Sequence, residues 1–168
     1  MLRLIPTLAL LPLAFVLIAG PALPLMLRPD PFLWSVLFLA LFTWNRQSCV
    51  PVLMLGLLRD AFSITPFGAH AILYVIVFRL IHQRRHGLYR ESVPTQMMLA
   101  LLAALSVQAL MVAGLFVTGV RIPLLTAAGS IVAIAIATAL AAPVALHIAI
   151  RHAWHVGTPT NHDGEYIL

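Results

Sequence analysis

The sequence predicts an all-α, polytopic membrane protein with six transmembrane helices and both termini in the cytoplasm. The first observation is composition: 62% of the 168 residues are hydrophobic and only 9% are charged, whereas soluble domains carry about 25% charged residues. The mean hydropathy of +1.02 points the same way. The second observation is a series of apolar segments of membrane-spanning length, and the third is the unequal distribution of arginine between the loops.

Six apolar segments follow one another along the chain. A transmembrane helix needs about 20 mostly apolar residues, with about 17–25 tolerated. The first segment has a basic residue before it and resembles a secretory signal, but its apolar run exceeds the about 7–15 residues of a signal core, so we expect it to be retained as a span. The predicted spans are 4–27, 32–44, 50–64, 68–81, 96–118 and 124–150.

The three middle spans are tight against the thickness of a bilayer. They share about 50 residues with almost no loop, which leaves about 25 Å of helix each against a hydrocarbon core of about 30 Å. One pair can instead be re-entrant and buried in protein, and both possibilities stay open. The polar segment 157–168 has no helical period and is expected to be a disordered tail.

Arginine supplies all ten basic residues, and its distribution predicts the orientation. With the polar loop 82–91 in the cytoplasm, six crossings leave only Arg28 and Arg121 clearly outside. The positive-inside rule predicts this asymmetry. No aromatic residues interleave with the basic ones, so we expect the lipid bilayer, and not nucleic acid, to be their partner. The arginines on the inner side are Arg3, Arg46, Arg79, Arg84, Arg85, Arg90 and Arg151.

Asp60 is the acid that lies inside an apolar segment; Asp30 and the remaining three acids are assigned to loops or the tail. A lipid-facing carboxylate costs about 3 kcal/mol on insertion scales, so Asp60 should face protein. Gly56 lies on the same helical face and leaves room beside it. Arg59 points about 100° away, poorly placed to bridge Asp60. Two interpretations stay open: a polar anchor for spans 3 and 4 or for a partner, and an interfacial aspartate with its hydrogen bonds satisfied.

A stripe of small residues marks the last span. Because lipid gives no hydrophobic drive for helix association, close approach over small side chains is a main route to packing. The stripe therefore predicts a packing face, either for another helix of this chain or for a partner protein. Its members recur every four residues: Gly129, Ala133, Ala137, Ala141, Ala145 and Ala149.

Enzymatic chemistry finds little support. The sequence contains no nucleophile elbow, no glycine-rich phosphate loop and no second carboxylate placed with Asp60 along one helix face. The single cysteine, Cys49, excludes a thiolate zinc cluster. We expect no catalytic residues, no cofactor and no bound metal ion.

Several short motifs follow one another between residues 28 and 81. An Arg-Pro pair opens span 2, an aromatic residue closes it, a Gly-x-x-x-Asp motif and a glycine turn follow, and an Ala…Tyr helix completes the set. The residues are Arg28-Pro29-Asp30, Trp44, Gly56-Leu57-Leu58-Arg59-Asp60, Pro66-Phe67-Gly68, Ala71 and Tyr74. This ordered set resembles the rod-shape-determining MreD family of small six-span inner-membrane proteins. Family members more often carry an apolar residue at position 59 and leucine at position 67.

The resemblance implies a non-enzymatic component of the cell-wall elongation machinery in the bacterial inner membrane. Its implied partners are an MreC-like protein, the MreB filament, and a RodA-type glycosyltransferase with its transpeptidase. The family is also similar in fold to the substrate-binding subunits of energy-coupling-factor transporters. A small-molecule-binding subunit for vitamin uptake is therefore the rival hypothesis, although few polar groups lie in the interior. The candidate structural or partner-contact residues are Pro29, Trp44, Gly56, Arg59, Asp60, Gly68, Tyr74, Gly129, Ala133, Ala137 and Ala141.

Overall fold

The structure, a computed structural model, describes Pro12 and residues 28–43, 49–63, 66–89, 92–120 and 123–155. The all-α prediction is confirmed for these residues. They form five α-helices and one 3-10 turn: α1 Pro31–Phe42, α2 Cys49–Ala61, α3 Ala69–Arg84, the 3-10 turn Arg85–Gly87, α4 Val93–Val117 and α5 Leu124–His155.

Two of these helices, α4 and α5, are long and apolar enough to cross a membrane. The helices α1, α2 and α3 overlap the three middle spans and have only 12, 13 and 16 residues, or about 18 to 24 Å of helix. Six crossings and cytoplasmic termini therefore stay predictions. Three predictions fall on residues outside the described ranges: span 4–27 (except Pro12), Trp44, and the tail 157–168.

The short helix α1 forms the centre of the fold. All 12 of its residues are buried, and it contacts each of the other four helices. A helix that is apolar on every side belongs in a core, since it has no face to present to water. It begins at Pro31, which suits a first helical turn because proline lacks the N–H that would be unpaired there.

The carboxyl end of α1 is fixed by a side chain that follows α3. Arg85 is 4% exposed, and its Nη1 donates a hydrogen bond to the Thr43 carbonyl. A cation at this position satisfies a carbonyl left over at the helix end and complements the negative end of the helix dipole. One turn earlier, the His82 ring stacks on Phe78 with centroids 5.1 Å apart. The ends of α1 and α3 are thereby held together.

Gly56 sets the distance between α2 and α3. A Cβ placed on this glycine would lie 2.3 Å from Ala71 Cα and 2.6 Å from Ala71 N. Both neighbours are backbone atoms, so they cannot move aside as a flexible side chain would. The two helices touch backbone to backbone here, which is the packing that small residues permit in membrane proteins.

The helices α4 and α5 pack against each other, and the buried face of α5 follows the stripe of small residues only in part. A repeat of four residues turns about 40° further around the helix at each step. The stripe therefore crosses the buried face and coincides with it only at Ala145. Gly129 is exposed, and a Cβ there would meet nothing within 4 Å. The buried residues of α5 are Ala127, Ala135, Thr138, Ala139, Ala142, Ala145 and Leu146.

We expect Gly56→Ala to destabilise the protein by about 2 kcal/mol or more, because a forced clash with backbone exceeds ordinary overpacking. The measurement is thermal unfolding of the purified protein in mild detergent. Gly129→Ala is the matched control, since it makes the same change in a helix where space is open. Equal melting temperatures for the two variants would contradict the close contact at Gly56.

Candidate functional site: a buried polar cluster

Asp60, at the end of α2, caps the beginning of α3. Its side chain is completely buried. Its Oδ2 accepts hydrogen bonds from the Gly68 N–H at 2.9 Å and, more weakly, from the Ala71 N–H at 3.4 Å. Its Oδ1 accepts from the His70 N–H at 3.1 Å. The first N–H groups of a helix have no partner within the helix, so Asp60 supplies the acceptors that α3 needs.

Gly68 explains why the cap comes from another helix. It occupies the N-cap position of α3 with φ +94°, and it has no side chain that accepts a hydrogen bond. Glycine is the residue that adopts this left-handed conformation without strain. The chain can turn sharply before α3 because of Gly68, and the carboxylate of Asp60 takes the place of the missing cap.

His70 makes a second contact with the same carboxylate. Its Nδ1 lies 2.6 Å from Asp60 Oδ1, and both side chains are buried. Because an ionised carboxylate only accepts hydrogen bonds, the ring nitrogen is the donor. The ring also packs edge-on against Tyr74, with centroids 5.9 Å apart. Asp60 thus receives donors from four groups of one short segment.

Asp30 forms the second half of the cluster and joins three helices. Its Oδ1 accepts from the Phe32 N–H at 3.2 Å and so caps α1. Its Oδ2 accepts from the Tyr74 hydroxyl of α3 at 2.6 Å. Its own N–H donates to Thr138 Oγ1 of α5 at 3.0 Å. Trp34 strengthens the link to α5, because its Nε1 donates to the Thr138 carbonyl at 3.1 Å.

Arg59 is directed at Asp30 and not at its sequence neighbour Asp60. Its Nε lies 3.7 Å from Asp30 Oδ1, which is too long for a hydrogen bond but close enough for an ion pair. The side chain is 28% exposed, so the guanidinium lies at the edge of the cluster. The 100° offset between adjacent helical positions separates the two neighbours as the sequence predicts.

Asp30 was grouped with the acids of loops outside the apolar segments. It does lie in the turn before α1, but it is buried there. Asp30 is 3% exposed, and its partner Thr138 is the middle residue of the apolar segment Leu125–Arg151. The turn itself was predicted, but a turn that caps a wholly apolar helix must be buried with that helix. The available signal was an aspartate directly before a proline and an apolar run, which is an N-cap pattern.

Five of the predicted candidates meet at this cluster, which combines residues of four helices. Pro29 is half-buried beside Asp30. Sequence reasoning missed Asp30, Trp34 and Thr138 as members. The stripe residues Gly129, Ala133, Ala137 and Ala141 lie on α5 and have no polar side-chain atoms to contribute. The five candidates are Gly56, Arg59, Asp60, Gly68 and Tyr74.

The arrangement suits a structural lock. Each carboxylate has both oxygens hydrogen-bonded, and each lies at a helix N-terminus, where the positive end of the dipole favours negative charge. Within the described ranges no three histidine, cysteine or acidic side chains are grouped to hold a metal ion.

No protein-family model, no curated protein and no solved structure matches this chain.

Tyr74→Phe should destabilise the protein by about 2 kcal/mol, because it removes a buried hydrogen bond to a charged group without changing the shape of the side chain. Thermal unfolding in detergent is the measurement. Tyr89→Phe is the matched control, since Tyr89 is 84% exposed. A Tyr74 variant as stable as the Tyr89 variant would show that the bond to Asp30 contributes nothing.

Asp60→Asn should cost at least about 3 kcal/mol, because the amide has one acceptor oxygen and turns an N–H donor toward other donors. The first turn of α3 should become more mobile, which amide hydrogen exchange detects at Ala69 to Ala71. Asp163→Asn makes the same chemical change in the polar C-terminal segment and should leave both stability and exchange unaltered. Unchanged exchange in the Asp60 variant would refute the cap.

Proposed function

We propose that the chain is a non-enzymatic scaffold of the bacterial inner membrane, of the MreD type, which serves the cell-wall elongation machinery and thereby maintains cell shape. The observation that carries this proposal is the convergence of the motif residues. Five residues that establish the resemblance take part in the hydrogen bonds of the cluster, at separations of up to 44 positions in the sequence: Asp30, Asp60, Gly68, Ala71 and Tyr74. The ring contact between His70 and Tyr74 and the ion pair of Arg59 with Asp30 join its two halves. A motif set that builds one buried site is more specific than the same residues scattered over a surface.

The saturation of the acids supports a scaffold over a transporter subunit. In transporters, helix N-termini inside the membrane point at anionic groups of the substrate. Here the N-termini of α1 and α3 are already occupied by Asp30 and Asp60. Neither end is open to a ligand, and the two acids instead fix the relative positions of four helices.

The two long apolar helices and the arginine distribution support placement in a membrane. We infer a multi-pass protein in which the loop after α3 faces the cytoplasm and both termini lie on that side. In this orientation an MreC-like protein, the MreB filament, and a RodA-type glycosyltransferase with its transpeptidase are the expected partners.

The exposed part of the small-residue stripe is the candidate contact for a partner's membrane helix. Gly129 is exposed and Ala133 is half-buried, so the described residues cover this part of the stripe only partly. Small residues there would allow a second helix to approach closely. The carboxyl-terminal members, from Ala141 onward, lie at or in the core of this chain.

The test is replacement of the native gene in a rod-shaped host by a tagged copy, followed by purification from its membranes in mild detergent. The native chain should retain an MreC-like protein and a rod-shaped cell. Gly129→Leu should reduce the retained partner at least fivefold with an unchanged melting temperature, whereas Leu125→Ala, at another exposed position of α5, should retain it.

Asp60→Ala should round the cells, and Asp163→Ala should not. A vitamin-sized ligand that accompanies the chain in place of an MreC-like protein would favour the transporter subunit. Rod-shaped cells that depend only on an Asp60→Ala copy would contradict the role given to the cluster.

A further inference from the structure

An apolar groove lies between α3 and α4, away from the polar cluster. Its volume is about 350 Å³, and its walls are formed by side chains that include Leu80, Ile81, Leu99 and Leu102. The one basic residue in its lining is Arg84, the last residue of α3. Apolar walls with a cation at one end are the features of an amphiphile site.

The groove has a charged end and an apolar end. Arg84 lies at the end of α3 that leads into the polar loop. Ser106 marks the opposite end, near the middle of the 25-residue α4. The α4 part of the lining begins at Leu99, so it covers about 10 Å of helix. The Ser106 hydroxyl donates to the Leu102 and Ala103 carbonyls of its own helix. That end of the groove is therefore effectively apolar as well.

The two adjacent arginines at the end of α3 differ in burial. Arg85 is buried and donates to the Thr43 carbonyl, whereas Arg84 is exposed and lines the groove. Arg79 is also exposed, but it lies about 140° around the helix from Arg84. Of these three cations, Arg84 is the one available to a ligand in the groove.

We propose that this groove binds an acyl chain of an anionic phospholipid from the inner leaflet, with Arg84 paired to the phosphate. The proposal rests on the membrane placement inferred above. Basic pockets between transmembrane helices on the cytoplasmic side are typical sites for anionic headgroups. A polar small molecule would find few hydrogen-bond partners along these walls, while a phospholipid offers an anionic group to the cation and an acyl chain to the apolar walls.

The experiment is native mass spectrometry of the purified full-length protein, titrated with phosphatidylglycerol or with phosphatidylcholine of the same acyl chains. The native protein should bind phosphatidylglycerol more tightly. Arg84→Gln should lower that affinity about fivefold, since one basic side chain near the membrane surface contributes about 1 kcal/mol. It should leave phosphatidylcholine binding unchanged.

Two further variants separate this site from general attraction. Arg79→Gln removes an equal charge from another face of α3 and should leave both affinities unaltered. Ser106→Phe fills the apolar end of the groove from an exposed position and should weaken the binding of both lipids. Equal losses for Arg79→Gln and Arg84→Gln would overturn the proposal in favour of diffuse electrostatic binding.

Other occupants of the groove would also overturn the proposal. A second copy of the chain in the groove would appear as a dimer that binds neither lipid, and a different protein would appear as a complex that protects Leu102→Cys from labelling. Alkaline carbonate washing of the host membranes tests the placement independently. Release of the chain would refute membrane insertion, whereas retention with no lipid preference would refute the groove site alone.

Discussion

Helix ends leave backbone N–H and C=O groups without partners inside the helix, and the need to satisfy them governs the structure. A buried group of this kind that finds no partner costs about 1–3 kcal/mol. The described helices α1 and α3 have only 12 and 16 residues. The backbone groups at the N-termini of α1 and α3 and at the carboxyl end of α1 therefore take hydrogen-bond partners from other segments of the chain.

The partners are charged side chains placed at helix ends. Asp30 and Asp60 meet the N-termini of α1 and α3, and Arg85 meets the carboxyl end of α1. Each charge is opposite in sign to the end of the helix dipole that it caps, and this arrangement is favourable. The acids of the cluster are thus accounted for by the backbone they satisfy, with Arg59 and His70 as additional partners.

A cluster of this kind has consequences for function. Its hydrogen bonds connect α1, α2, α3 and α5, and so fix the positions of these four helices relative to one another. Such a fixed arrangement would suit the scaffold proposed above. In that proposal the exposed end of the stripe on α5 and the groove between α3 and α4 are the surfaces offered to a partner helix and to lipid.

The sequence by itself determined the helices and the faces within them. The apolar segments overlap the five described helices, and the four-residue spacing of Gly56 and Asp60 placed both residues on one face of α2, which the structure turns toward α3. Local periodicity carries this information because it depends only on the geometry of one helix. The separate directions of Arg59 and Asp60 followed from the same geometry.

Only the tertiary structure decided which groups meet. Asp30 bonds to Tyr74 and Thr138 at separations of 44 and 108 residues, and no local pattern encodes such pairs. The stripe on α5 shares only Ala145 with the fully buried face of that helix, because a repeat of four residues drifts around a helix of 3.6 residues per turn. Burial of a turn residue depends on what is packed over it, and that is a property of the whole assembly of helices.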